Sequence, residues 1–456
     1  MIIKPKLIKG TRDFNSIEIK KREYIINIIR SNFELYSFEQ INTPAIENLS
    51  TLSESYGEEG DRLIFKIINS GDYLKNISID NKTNYKNLLS KISKKALRYD
   101  LTIPLARYVA MNQNNIVFPL KRFQIQNVWR ADRPQKGRFT EFLQCDADII
   151  GSKSLLLEIE LIQLYTSVFK NLNLPITIKL NNRKILLGIC EHVGESDKFN
   201  DLTIAIDKLD RYSFEKVQDE LFNKGFSKLS IIKLKRLFDF RESSFQDKIL
   251  FFKNIFSNIN VGMEGINEVE YIFSNLNGIK NIDFDIKLAR GLSYYTGTIL
   301  EVVCNNVNIG SIGGGGRYDN LTEKFGLKNI SGVGISFGLD RIYLVMEELN
   351  LFPKILTHSS NFLFLNFGDN FLNESLKYAS ILRENNISCE IFPDNIKLSK
   401  QLSFANKKNI PFIIFIGDNE LKNNDIVIKD MRNGNQQNVN KNKFLSTIIE
   451  INKNNG

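Results

Sequence analysis

Between Phe118 and Ile150, apolar and polar residues alternate in two runs, FQIQNVWR and FLQCDADII, separated by RPQKGR. Alternation with a period of two marks a half-buried strand, and the Pro and Gly between the runs mark a turn. The stretch therefore reads as two antiparallel strands joined by a basic loop. Side chains two residues apart share a strand face. That groups Phe142, Gln144, Asp146 and Asp148 on one strand, and Arg130 with Asp132 near the turn. A floor with guanidinium groups at one end and carboxylates at the other suits a zwitterion beside a polyphosphate, because the arginine fork binds phosphate in bidentate fashion and keeps its charge. An ordinary surface hairpin carrying exposed ion pairs accounts for the same residues.

The rest of the chain supplies a setting for this hairpin. Apolar residues at helical spacing run from about Ile17 to Tyr36, and a Leu- and Ile-rich helix is expected from about Leu155 to Leu172. Residues 185–277 read as mostly helical and lysine-rich, without the glycine and aromatic motifs on either side, so they look like an insertion in a sheet-based domain. Strand patterning resumes at IDFDIKLARG and continues through TILEVVC to Gly313–Gly316. After Pro353, NFLFLNF, CEIFP and PFIIFIG alternate with helical segments near Leu372–Asn385 and Leu398–Lys408, which predicts a small parallel-sheet domain closed by a C-terminal helix. With 456 residues, roughly 150 per domain gives about three domains.

Composition narrows the chemistry. The cysteines Cys145, Cys190, Cys304 and Cys389 form no CxxC pair, and the only histidines, His192 and His358, lie outside every motif. A zinc cluster, a disulfide framework and a Ser-His-Asp triad thus have little to work with. No apolar run approaches the ~18 residues of a membrane span, and a cytoplasmic setting is expected. A formal charge of +9 attracts polyanions, although AT-rich codon usage (abundant Lys, Asn and Ile) explains part of it without any function. Neither GxGxxG after a strand nor GxxxxGK[ST] occurs, so a Rossmann site and a P-loop are disfavoured. The run GGGGRYD allows either close approach of backbone to a ligand or tight strand packing. GVGISFGLDR places Arg341 at the start of a helix, where it could grip a nucleotide or simply face solvent.

Taken in order, KGTRDF at Lys9–Phe14, YDLTIPLARY at Tyr99–Tyr108, WRADRPQKGR at Trp129–Arg138, LARGLSYYTG from Leu288, GGGGRYD and GVGISFGLDR resemble the motifs of histidyl-tRNA synthetases, a branch of the class II aminoacyl-tRNA synthetases. The resemblance runs from about residue 8 to 345, and the β/α tail resembles that family's anticodon-binding domain. It implies an α/β and α+β multidomain chain. The class II antiparallel-sheet catalytic core would occupy 1–184 and 278–350, a helical insertion domain 185–277, and a C-terminal β/α anticodon-binding domain 358–456. It further implies activation of L-histidine by ATP, with Mg2+ and no tightly bound cofactor, transfer to tRNA(His), and a homodimer.

Residue by residue, the resemblance implies that Arg130 binds the α-phosphate and the histidine carboxylate, and that Arg290 stabilises charge on the α-phosphoryl group. Arg138 would reach the outer phosphates, Asp132 would steer the ATP side, and Phe142 and Arg341 would enclose the adenine. Asp100, Leu101 and Thr102 with Gln144 would hold the α-amino group, while Asp148, Tyr294 and Tyr295 would surround the imidazole. Gln135 and Lys136 are candidate tRNA contacts, and no protein metal site is expected. Two positions depart from the family pattern: Ser293 stands where Asp or Asn is usual, and Thr140 where an arginine is common. Rival readings are the regulatory paralogue of the family that partners ATP phosphoribosyltransferase, and a synthetase-like protein that only binds.

Overall fold

The protein is described from a computed structural model, which covers all residues except 1–2, 54, 57–60, 76–84, 211, 240–243, 290–293, 354–359 and 455–456. The chain forms two compact units, residues 1–13 with 24–351, and residues 14–23 with 352–456. Among the described residues, no helix is long and apolar enough to cross a membrane.

The first unit is built on an eight-stranded sheet. Its strands are β1 (Glu39–Gln40), β5 (Leu120–Trp129), β6 (Glu141–Ile150), β7 (Ile176–Asn182), β8 (Ile282–Phe284), β9 (Thr298–Cys304), β10 (Ser311–Tyr318) and β11 (Gly332–Gly338), in the spatial order β1-β5-β6-β11-β10-β9-β7-β8. The alternating runs of the sequence are β5 and β6, paired antiparallel from Leu120↔Ile150 to Trp129↔Glu141. Only the edge pairs β1–β5 and β7–β8 are parallel. A smaller sheet of β2 (Ile46–Asn48), β3 (Lys66–Ile67) and β4 (Lys95–Leu97) lies beside it in sequence, and its last strand delivers the chain to Arg98.

The two faces of the large sheet differ because its strands alternate. Phe123, Cys145, Ala147, Ile149, Ile335 and Phe337 are buried. Against this face pack Phe33 and the helix Leu156–Asn171, with ring centroids of Phe33 and Phe123 5.1 Å apart and of Tyr165 and Phe337 4.8 Å apart. The expected helix near Leu155–Leu172 and the N-terminal one, Ser16–Leu35, are thus what the apolar face requires. Helices fill the stretch from Arg183 to Ser274.

A buried ion pair locks β10 to this helical layer. The guanidinium of Arg317, in GGGGRYD, donates to both carboxylate oxygens of Glu158 at 2.6 and 2.7 Å, and further to the Ser331 hydroxyl and the carbonyls of Ser152 and Ser154. Every donor nitrogen is therefore engaged, which is the condition under which a buried pair is tolerated.

The second unit differs from the all-parallel expectation. Strands β12 (Phe362–Phe364), β13 (Cys389–Ile391) and β14 (Phe412–Phe415) are parallel, but β15 (Asp425–Asp430) and β16 (Gln436–Asn440) extend the sheet antiparallel, in the order β13-β12-β14-β15-β16. The last strand, QQNVN, is an edge strand whose side chains are exposed except Val439, so it carries no hydrophobic alternation to read. Helices Asp369–Glu384, Leu398–Lys407 and Phe444–Asn454 occupy the expected places.

Removing Glu158 leaves the Arg317 charge buried with only the more distant carboxylate of Asp319, at 4.0 Å. Glu158→Ala is expected to destabilise the first unit by about 3–5 kcal/mol. Lys136→Ala, which removes an exposed pair with Glu348, should cost less than about 1 kcal/mol. Urea unfolding followed by fluorescence of the single tryptophan, Trp129, at the end of β5, measures both; equal midpoints for the two variants would refute the assignment of the buried pair as a stabilising lock.

Candidate active site

The polar face of the sheet opens on a cavity of about 460 Å³ whose floor is the backbone of Gly313–Gly315. Its walls carry Arg130, Arg138 and Arg341 with Asp132, Phe142, Tyr99, Tyr295, Glu301, Ser336 and Asp340. Of the residues expected from the sequence, Arg130, Asp132, Arg138, Phe142, Tyr295 and Arg341 are thus brought to one cavity.

Each arginine is aimed by a different device. Strand β5 ends at Trp129, so strand alternation does not extend to Arg130 and Asp132 as the sequence pattern suggested; the loop that follows has no regular repeat. Arg130 instead lies over the Tyr99 ring at 4.3 Å and the Phe142 ring at 5.2 Å, and its Nε donates to the Tyr99 carbonyl at 3.1 Å. Two rings against a guanidinium restrict its plane while leaving its remaining donors available. Arg138 meets Asp132 at 3.4 Å, with about a third of each side chain exposed. Arg341, in the first turn of the helix Leu339–Glu348, donates to the carbonyl of Gly137 at 3.1 Å and to that of Ser311 at 2.5 Å. Gly137 takes a φ of +73° in the turn of the basic loop, a conformation that glycine adopts without strain, and this turns its carbonyl toward Arg341.

Next to this cationic rim lie three buried carboxylates. Asp100 accepts the Tyr56 hydroxyl at 2.7 Å and the Ile103 amide at 3.2 Å, with the Tyr294 hydroxyl at 3.5 Å. Burial pushes its carboxyl up, and the Tyr56 hydrogen bond opposes that shift. The segment Asp100–Thr102 is held by Arg98, which is itself buried and donates to the carbonyls of Thr43 and Asn127. Leu101 and Thr102 are both buried, at the start of the helix Thr102–Asn112.

Asp148 faces Arg122 across the β5–β6 pair. The Arg122 guanidinium is completely buried and approaches Asp148 Oδ2 at 2.6 Å as an ion pair, off the angle of a hydrogen bond; Tyr318 donates to Oδ1 at 2.5 Å. Burial raises the Asp148 carboxyl, while Arg122 and Tyr318 pull it back. A side chain at position 334 on β11 would collide with this carboxylate, which explains the glycine there. Asp146, between Asp148 and Gln144 on β6, is pushed up to about 7 by burial and then by the Asp148 charge. Gln144 donates to the Ser336 hydroxyl at 3.4 Å, leaving its Oε1 without a partner among the described residues.

Arg290 and Ser293 lie outside the described residues. Tyr294 and Tyr295 stand edge to face, 5.0 Å between centroids, and burial raises both phenols. Gln135 closes the turn with Arg138, whereas Lys136 is exposed and pairs with Glu348, away from the carboxylates. Thr140 is buried and donates to the Lys9 carbonyl, while its amide donates to that of Gly10. It anchors the KGTRDF segment, and so does not stand at the cavity mouth where a missing arginine would matter. Sequence reasoning passed over Tyr99, Arg122, Glu301, Ser336, Arg317 and Tyr318. The available signal was a charged residue inside an apolar strand, as at Glu301 in TILEVVC.

Comparison with known proteins supplies the family. Residues 89–342 match the family model described as histidyl-tRNA synthetase, and 361–451 match the one described as an anticodon binding domain. The chain belongs to the histidyl-tRNA synthetase family. A histidine–tRNA ligase of Azobacteroides pseudotrichonymphae is 52% identical, covering 96% of each chain, and one of Flavobacterium johnsoniae is 49% identical over 98% of this chain and all of that one. Among solved structures, a histidyl-tRNA synthetase from Nostoc sp. superposes with a TM-score of 0.81 at 26% identity, over 98% of this chain and 100% of that one. A Bacillus halodurans chain described as an ATP phosphoribosyltransferase regulatory subunit/histidyl-tRNA synthetase reaches 0.71 at 19% identity over 91% of this chain and 100% of that one, a likeness of fold alone.

The raised carboxyl of Asp146 has a consequence for stability in this family member. Because its folded value lies above the ordinary carboxylate range, its contribution is fully present near pH 4 and is lost as pH rises through about 7. Asp146→Asn should melt above the wild type at pH 8, by less at pH 5, and close to it at pH 4; a gap between the two that does not depend on pH would show that Asp146 does not titrate in this range.

Proposed function

We propose that this chain is a histidine–tRNA ligase in which the arginine-rimmed cavity binds ATP and the adjoining carboxylate cluster binds histidine. The observation that carries the reading is the set of Arg130, Arg138 and Arg341 around a glycine floor, with buried Asp100 acted on by Arg130 and buried Asp148 acting on Tyr295 of the same cavity. Membership of the family supports it. In this reading the carboxylate of histidine attacks the α-phosphorus of ATP, pyrophosphate leaves, and the adenylate passes histidine to the 3′ end of tRNA. The nucleophile is already ionised at neutral pH, so no general base is needed.

Arg130 would hold the α-phosphate and the histidine carboxylate, Arg138 the outer phosphates with Asp132 on the ATP side, and Phe142 and Arg341 the adenine. Asp100, Leu101, Thr102 and Gln144 would take the α-amino group, and Asp148, Tyr294 and Tyr295 the imidazole side. Arg290 would stabilise the charge that develops on the phosphoryl oxygens. Magnesium would enter with the nucleotide as substrate. We place the catalytic core at 1–184 and 278–350, the insertion at 185–277 and the anticodon-binding domain at 358–456. Gln135 and Lys136 would meet the tRNA, and the working form would be a cytoplasmic homodimer, as the resemblance implies.

A pocket that hydrogen-bonds a polar ring rejects apolar analogues by roughly 10⁴–10⁵, because its buried groups would otherwise remain unpaired. ATP–pyrophosphate exchange should therefore depend on histidine and on no other amino acid; exchange driven equally by phenylalanine would sink the reading. Arg290→Ala should lower kcat by about 10²–10³ while histidine binding changes little, and near-normal adenylation in that variant would remove Arg290 from the chemistry.

A further inference from the structure

We propose that Asp146, and not Asp148 alone, is the carboxylate that accepts the ring N–H of bound histidine, which makes it a specificity-determining residue of this site. This rests on the histidine–tRNA ligase reading and names a residue that its assignments leave without a role. The argument begins with β6, where Gln144, Asp146 and Asp148 point to the same face and cross-strand register sets Gln124 and Ser336 opposite Asp146. Asp148 is the more engaged of the two: Oδ1 takes the Tyr318 hydroxyl, and the charge on Oδ2 is matched by the Arg122 guanidinium 2.6 Å away, an ion pair without hydrogen-bond geometry. Asp146 is only 3% exposed, and its Oδ1 has no hydrogen-bond partner among the described residues. Among the described residues, the Ser336 hydroxyl is the hydrogen-bonding group that supports its carboxyl. A buried acceptor left unpaired is costly, so a site that keeps one is arranged for a donor that arrives with the ligand.

Charge balance points the same way. The groups that act on Asp146 are Asp148 and Arg122 first, and Asp100 more weakly; the neighbouring phenols are those of Tyr165 and Tyr295. Three carboxylates thus share a buried region in which Arg122 is the completely buried cation. Like charges in such a region hold one carboxyl protonated until a donor or cation enters. Asp146 stands two residues from Asp148 on the same β6 face, and Tyr295 acts on both carboxylates, so the residues assigned to the ring lie around it. Binding then proceeds with loss of the Asp146 proton to solvent and formation of a charge-assisted N–H···O bond from the ring.

The test is histidine-dependent ATP–pyrophosphate exchange on the full chain, wild type against Asp146→Asn, from pH 6 to 8. The probe is triazolylalanine alongside histidine, because its ring keeps an N–H donor but does not take up a proton in this range. Wild-type KM for triazolylalanine should be about tenfold higher at pH 6 than at pH 8, following the ionised fraction of a carboxyl that titrates near 7. Asp146→Asn should abolish that dependence and raise the KM for histidine by about tenfold or more, with the KM for ATP little changed as evidence that the site is folded. Thiazolylalanine, whose ring lacks the N–H, should be discriminated against strongly by the wild type and weakly by the variant. An unchanged histidine KM, or a pH dependence that survives in the variant, overturns the proposal. Wild-type protein that shows no histidine-dependent exchange overturns the underlying function instead.

Discussion

The polar half of this sheet depends on a guanidinium placed where water does not reach. Arg122 is completely buried, and its 2.6 Å approach to Asp148 is the only close charge contact described for it. Desolvating such a pair costs more than an apolar core would, so its presence has to be matched by the groups around it. Tyr318 donates to the other Asp148 oxygen, residue 334 is glycine because a larger side chain would occupy the same space, and the neighbouring strands supply Gln124 and Ser336. The result is a region with more carboxylate than cation, which favours a ligand rich in N–H donors.

Arginine serves two separate purposes in this unit. Arg98 and Arg317 spend their donors on carbonyls and carboxylates inside the protein, tying loops and helices to the sheet. Arg130, Arg138 and Arg341 stand at the cavity, restrained by aromatic rings, by Asp132 and by backbone carbonyls respectively. Arg317 and Arg341 are separated by little sequence and look alike in composition, yet one is a lock and the other a wall of the site. Glu158, fully buried on the helix Leu156–Asn171, is the reason that Arg317 belongs to the first class.

Periodicity and turn chemistry are local properties, and they were enough to read the β5–β6 hairpin, the helix after it, the helical stretch that follows Arg183, and the β/α order of the second unit. Where local signals are weak the reading failed. The polar edge strand Gln436–Asn440 has no apolar alternation, so its antiparallel hairpin with Asp425–Asp430 went unseen. The loop after Trp129 was given a strand face that it does not have.

What the sequence by itself determined was the set of elements, the family through its ordered motifs, and several of the residues that line the cavity. Only the tertiary structure decided how those residues divide the work. Whether a carboxylate is already engaged depends on neighbours far away in the chain: Arg122 and Tyr318 for Asp148, Ser336 for Asp146. Burial and register bring these groups within a few ångströms, and neither can be read from the spacing of residues along one strand.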